Sequence, residues 1–128
     1  MNDIYLDNNF MNSSEYKEFI NRNPGKGNLK IRAYAASEAL PVADLNISVS
    51  AVINNQNVIF FSGKTDASGM IETISLPAPL IDPNNLIAPS YTTYKIVAGG
   101  SNVFSVNMYD GICVIQNINY VPGDYNGN

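Results

Sequence analysis

Histidine and tryptophan are absent from this 128-residue chain, and cysteine occurs once. Without His the usual proton carrier near neutral pH is missing, so acid–base work would fall to carboxylates or Lys. No Ser–His or Cys–His pair can form, and no Gly-x-Ser-x-Gly segment occurs. The sequence therefore predicts no enzyme and no catalytic residues. One Cys without His cannot assemble a Cys/His zinc site, and it cannot make an internal disulfide, which fits a reducing compartment. Apolar neighbours Ile112 and Val114 predict a buried, inert Cys113 thiol. Charge is scarce as well. Charged residues make up 14% of the chain, against the roughly 25% of an ordinary globular protein. Net charge is -4, and the seven basic residues are spread along the whole length, so nucleic acid is not an expected partner. No apolar run approaches the ~20 residues of a membrane span, and the first residues lack the basic and apolar regions of a signal peptide. No membrane partner is expected.

What is present reads as one domain, large enough to bury about two thirds of its unfolded surface. Residues 1–27 form an N-terminal extension. Ser13 or Ser14 can cap a short helix reaching about Arg22, with Tyr16, Phe19 and Ile20 on one stripe. Asn23-Pro24-Gly25-Lys26-Gly27 stops it, and Ile4, Tyr5, Leu6 and Phe10 favour its docking on the remainder. Alternation then sets in over residues 28–122. Leu29, Ile31, Ala33 and Ala35 alternate with Lys30, Arg32 and Tyr34, which places Lys30 on the outer face. A second strand over 45–53 closes through Asn54-Asn55-Gln56-Asn57 into a hairpin with 58–64. Thr65-Asp66-Ala67-Ser68-Gly69 predicts a further hairpin, joining 58–64 to 70–76, which Pro77 and Pro79 terminate. Strands follow at 93–98, 102–108 and 112–121. Seven strands without a helix between them predict an all-β, antiparallel two-sheet sandwich with a short N-terminal helix.

Between them lies a long Pro- and Asn-rich loop, 77–92. Its leading reading is a crossover between sheets in which Leu80, Ile81, Leu86 and Ile87 cover a core edge; the other is a contact surface formed by those four and Tyr91. Asp66, Asp82 and Asp110 have turn roles that suffice without metal. Asp124-Tyr125-Asn126 resembles the opening of a calcium loop, but the later ligands do not follow, and 123–128 is read as a polar tail. No metal or cofactor is expected.

The ordered set Gly27-Asn28-Leu29-Lys30-Ile31, Leu40-Pro41-Val42-Ala43-Asp44-Leu45-Asn46-Ile47, Thr65-Asp66-Ala67-Ser68-Gly69, Tyr94-Lys95-Ile96-Val97 and Ile118-Asn119-Tyr120-Val121-Pro122 resembles the carboxypeptidase regulatory-like domains. These belong to the transthyretin-like and Cna B-type β-sandwiches. Leu76-Pro77-Ala78-Pro79, Tyr91-Thr92-Thr93-Tyr94 and Tyr109-Asp110-Gly111-Ile112 look closer still to small clostridial relatives, including the pro-region of spore cortex-lytic enzymes. The resemblance implies a binding, spacing or folding module rather than a catalyst. With no signal peptide visible, a cytoplasmic or spore-associated location is expected. A protein partner is the leading expectation. The alternative is a cell-wall or spore glycan, stacked on exposed Tyr among Tyr34, Tyr91, Tyr94, Tyr109, Tyr120 and Tyr125.

Overall fold

The computed structural model describes residues 3–35 and 39–120. It is mostly β, in two sheets with little helix. After β1 (Asp3–Tyr5) come two helices, α1 (Asn8–Met11) and α2 (Ser14–Arg22), and then β2 (Gly25–Ala35). A short β3 (Leu40–Pro41) leads to β4 (Asn46–Ile53), β5 (Gln56–Lys64), β6 (Ile74–Ala78), β7 (Thr92–Ala98), β8 (Asn102–Met108) and β9 (Cys113–Asn119). One sheet runs β1-β5-β4-β7-β8; the other is built on β2, with β3, β6 and β9 paired to it.

Each of the seven expected stretches contains a strand, the one expected at 70–76 running instead over Ile74–Ala78, and β1 and β3 are additional short ones among the described residues. Three expectations are corrected. The sandwich is not wholly antiparallel, because β9 lies parallel to β2 and β1 lies parallel to β5. Nor are 58–64 and 70–76 a hairpin: β5 pairs with β4 and β1, whereas β6 pairs with β2 in the other sheet. The turn chemistry itself is as read. The Asp66 carboxylate accepts from the Ser68 and Met70 N–H groups, and Gly69 has φ +77°. A Cβ on Gly69 would also lie 2.4 Å from the Ala33 carbonyl. The segment turns the chain from one sheet to the other, with the Ala33 N–H donating to the Gly69 carbonyl and Met70 bridging to Arg32. Alternation breaks there. Ile71 is buried, yet the regular core-facing set Ile74, Leu76 and Ala78 starts one register later. Pro77 does not end the ladder: it pairs with Lys26, and pairing reaches Ala78. Such a proline is tolerated on an edge strand, where its missing N–H faces away from the neighbour.

The β4–β5 hairpin forms as expected, with Ile53 opposite Gln56 and with Asn54 and Asn55 at φ 52° and 64°. Both values are left-handed, the pattern whose twist matches the flanking strands. A bulge between Val49 and Ser50 shifts the register. The core is one cluster that includes Leu29, Ile31, Val49, Val58, Leu76, Tyr94, Ile96 and Ile118.

The N-terminal segment docks on that cluster. Ser13 caps α2 by accepting from the Tyr16 N–H, and Phe10 and Phe19 are buried. An aromatic series runs inward from Phe10 through Tyr16, Phe19 and Phe60 to Tyr94, with ring centroids 5.3–6.2 Å apart. Among the described residues no helix is long and apolar enough to cross a membrane.

Candidate interaction surface

One end of the sandwich is assembled from the α2–β2 junction, the β8–β9 turn and the segment leading into β7. Asn23 closes α2: its side-chain amide donates to the Phe19 carbonyl, while its oxygen accepts from the Thr92 hydroxyl. The β2 strand then begins at Gly25, three residues before the position expected from alternation. Its first residues run against the β8–β9 turn at a distance that excludes side chains. A Cβ on Gly25 would fall 2.4 Å from the Asp110 carboxylate, and one on Gly27 2.5 Å from the Tyr109 carbonyl. The Asp110 carboxylate accepts from the Lys26 N–H, and the Gly111 N–H donates to the Lys26 carbonyl. Tyr109 is thereby held against Tyr91, with ring centroids 5.5 Å apart at 54°.

The Pro-rich loop departs from β6 beside this end. Within it the Asp82 carboxylate accepts from the Asn84 N–H, and the Asn85 N–H donates to the Asp82 carbonyl, a local turn that orders the chain without core contacts. The leading sequence reading, that its apolar residues cover a core edge, is corrected. Leu80 is 59% exposed, Leu86 65% and Ile87 99%; Ile81 is half-buried, and Tyr91 is 49% exposed. Four of the five candidate contact residues therefore present apolar surface to solvent. Half-buried Tyr109, against Tyr91, and the exposed Ile112 lie at the same end. Tyr109 was legible only as a Tyr; its place beside Tyr91 follows from the pairing of Thr92 with Met108, which no local pattern announces.

The other sequence candidates disperse. Tyr94 is fully buried, and its hydroxyl donates to the Pro77 carbonyl at 2.6 Å, so it has no face for a sugar. Burial holds its phenol well above the ordinary range, and Tyr16 adds to the shift. Tyr34 is half-buried, with the Arg32 guanidinium donating to its hydroxyl. Tyr125 and the calcium-loop-like segment lie outside the described residues. Cys113 is exposed, contrary to expectation, because β9 alternates and turns Cys113 outward while Ile118 enters the core. Leu29 and Ile31 are in the core, which leaves Lys30 half-buried on the opposite face.

Among the described residues, the carboxylates and Cys113 are scattered. Glu72 is exposed, and among the described residues no three His, Cys, Asp or Glu side chains gather where a metal ion would bind. Ser50, on the outer face of the five-stranded sheet, has a buried hydroxyl with no hydrogen-bond partner. It lines a shallow groove of about 360 Å³ with Val52, Asn57, Thr93, Lys95 and Val103. No family model matches the chain, and no curated protein matches it.

Proposed function

We propose that this protein is a non-catalytic accessory module that acts in protein–protein interaction or structural assembly, on a β-sandwich of the carboxypeptidase regulatory-like kind. The observation that carries the reading is Ile87, 99% exposed in a turn-ordered loop beside exposed Leu86 and Leu80. Isolated apolar side chains on a surface need no explanation, but three in one Pro-rich loop that leads into the Tyr91–Tyr109 pair offer apolar surface of the type that partners bury. The two-sheet architecture supports the fold half of the reading. It supplies a rigid base from which a long loop is displayed.

A second reading, glycan binding, rests on the Tyr91–Tyr109 pair, whose tilted rings leave Tyr91 exposed at the same end. One set of variants separates the two. Leu86→Ser with Ile87→Asp touches no core residue, so the melting temperature should stay within about 2 °C of the unchanged chain, since surface changes usually lie within ±0.5 kcal/mol. A protein retained from the source cell by the immobilised chain should be lost with that pair. Binding on a glycan array that disappears with Tyr91→Ala and survives the loop pair would establish the sugar reading instead.

A further inference from the structure

Strand edges in this sandwich are protected unequally. In the five-stranded sheet β1 is three residues long; in the other sheet β3 is two residues and ends in Pro41, and β6 carries Pro77. Shortness and proline are the usual means of blunting an edge. The two remaining edges, β8 and β9, are seven residues each and contain no charge, proline or glycine. They differ in how they are held. Antiparallel pairing over its full length secures β8 to β7, whereas β9 has a parallel ladder to β2 as its one strand partner among the described residues. Parallel pairs are slightly the weaker kind per residue.

The backbone of β9 can be assigned group by group. The Asn28 N–H donates to the Ile112 carbonyl and the Tyr120 N–H donates to the Tyr34 carbonyl, so the even-numbered residues of this strand turn their backbone groups toward β2. The odd-numbered ones, Cys113, Ile115, Asn117 and Asn119, direct theirs away from the sheet. Their side chains share the outer face, where Ile115 is 55% exposed. The Gln116 amide, reaching to the Asn117 carbonyl at 3.1 Å, stands in for a missing partner on this edge.

We propose that β9 is a self-pairing edge, joined antiparallel across a two-fold axis at Gln116 to the β9 of a second copy of this chain. That register places Cys113 opposite Asn119 and Ile115 opposite Asn117, and it uses every outward N–H and C=O of both strands. Sliding by two residues leaves end groups unpaired. Sliding by one sets core-facing against outward-facing side chains. No charged side chain lies in the strand, so the two-fold brings no like charges into direct opposition. Lys30 and Arg32 stand one strand inward on each copy, and the chain is net negative, so association strengthens with salt. A single strand pair is at the small end of stable interfaces, so the dimer is weak and its population depends on concentration.

Sedimentation velocity on the full chain, from micromolar to millimolar concentration, should show conversion from monomer to dimer. Ile115→Pro removes an N–H that points outward, so it should leave the β2–β9 ladder in place while weakening dimerisation at least tenfold. Ile115→Lys, which keeps the backbone and places two cations at the junction, should do the same and carries the test if the proline variant is unstable. Asn119→Cys sets a thiol opposite Cys113 of the other copy at the ~5.5 Å Cα separation of such a pair, within disulfide reach. Mild oxidation should then give a covalent dimer that reductant dissolves. The unchanged chain should give none, because its two Cys113 residues would be about 20 Å apart. A monomer throughout the concentration range, a dimer indifferent to both Ile115 variants, or efficient Cys113–Cys113 cross-linking of the unchanged chain would each overturn the assignment.

Discussion

Tyr94 joins the two layers by more than burial. Its ring closes the aromatic series from the N-terminal helices, and its hydroxyl donates to Pro77 in the opposite sheet. Burial raises the phenol pKa of Tyr94, and that of Tyr16, above the value near 10 that each has in the unfolded chain. Their contribution to stability is therefore complete below pH 10 and is lost as the pH climbs beyond it, since the unfolded state ionises first. Thermal melts should show stability falling above about pH 10. Tyr94→Phe should cost about 1 kcal/mol at neutral pH through the lost hydrogen bond, and should flatten the alkaline fall, with Tyr16 accounting for what remains. A melting curve for Tyr94→Phe as alkali-sensitive as that of the unchanged chain would assign the effect to other groups. At this same scale the Cys113 reading failed for a definable reason. Apolar neighbours in sequence say little about a strand residue, because Ile112 and Val114 flank it along the chain while the pleat alone decides which way it points.

At the scale of elements, alternation located the strands and showed the core faces of β2 and β4, but it did not give their partners. Asp66, Ser68 and Gly69 form the turn their chemistry predicts, and the same local geometry serves a hairpin or a sheet-to-sheet corner. What selects the corner is distant: Ala33 and Ile31 supply hydrogen-bond partners for Gly69 and Ile71. Gly25 and Gly27 lie in the segment that stops the helix, and they also begin β2, where they are needed for the close approach of Asp110 and Tyr109. The Asn54-Asn55 turn was legible because its signal and its cause are both local. It yields a sharp expectation. Asn55→Val, forcing a β-branched residue to φ 64°, should lower stability by about 1–2 kcal/mol, whereas Asn55→Gly should be neutral or stabilising by a few tenths. Chemical denaturation of the two variants checks both directions, and a tolerated Val would mean that the turn relaxes to another type.

For the whole molecule the decisive feature is that the N-terminal segment is part of the core. Phe10 and Phe19 belong to the buried cluster, Ile4, Leu6, Tyr16 and Ile20 pack against it, and β1 extends the five-stranded sheet beside β5. Three residues of β1 are too few for periodicity to reveal, so the sequence showed a helix with apolar surface to bury but not the strand that ties it down. Burying each Phe is worth roughly 2–3 kcal/mol, and the four partly buried apolar side chains add a comparable total. That sum approaches the 5–15 kcal/mol by which a domain of this kind is stable at all. Phe19→Ala, which removes the ring joining Tyr16 to Phe60, should by itself cost about 3–5 kcal/mol and leave a cooperative but much lower melt. Removing residues 1–22 uncovers Phe60 and the neighbouring side of the core together, and the shortened chain should bind a hydrophobic dye and lose its cooperative transition at 25 °C. If it instead melts cooperatively within a few degrees of the intact protein, the helices are an appendage and the core is complete from β2 onward.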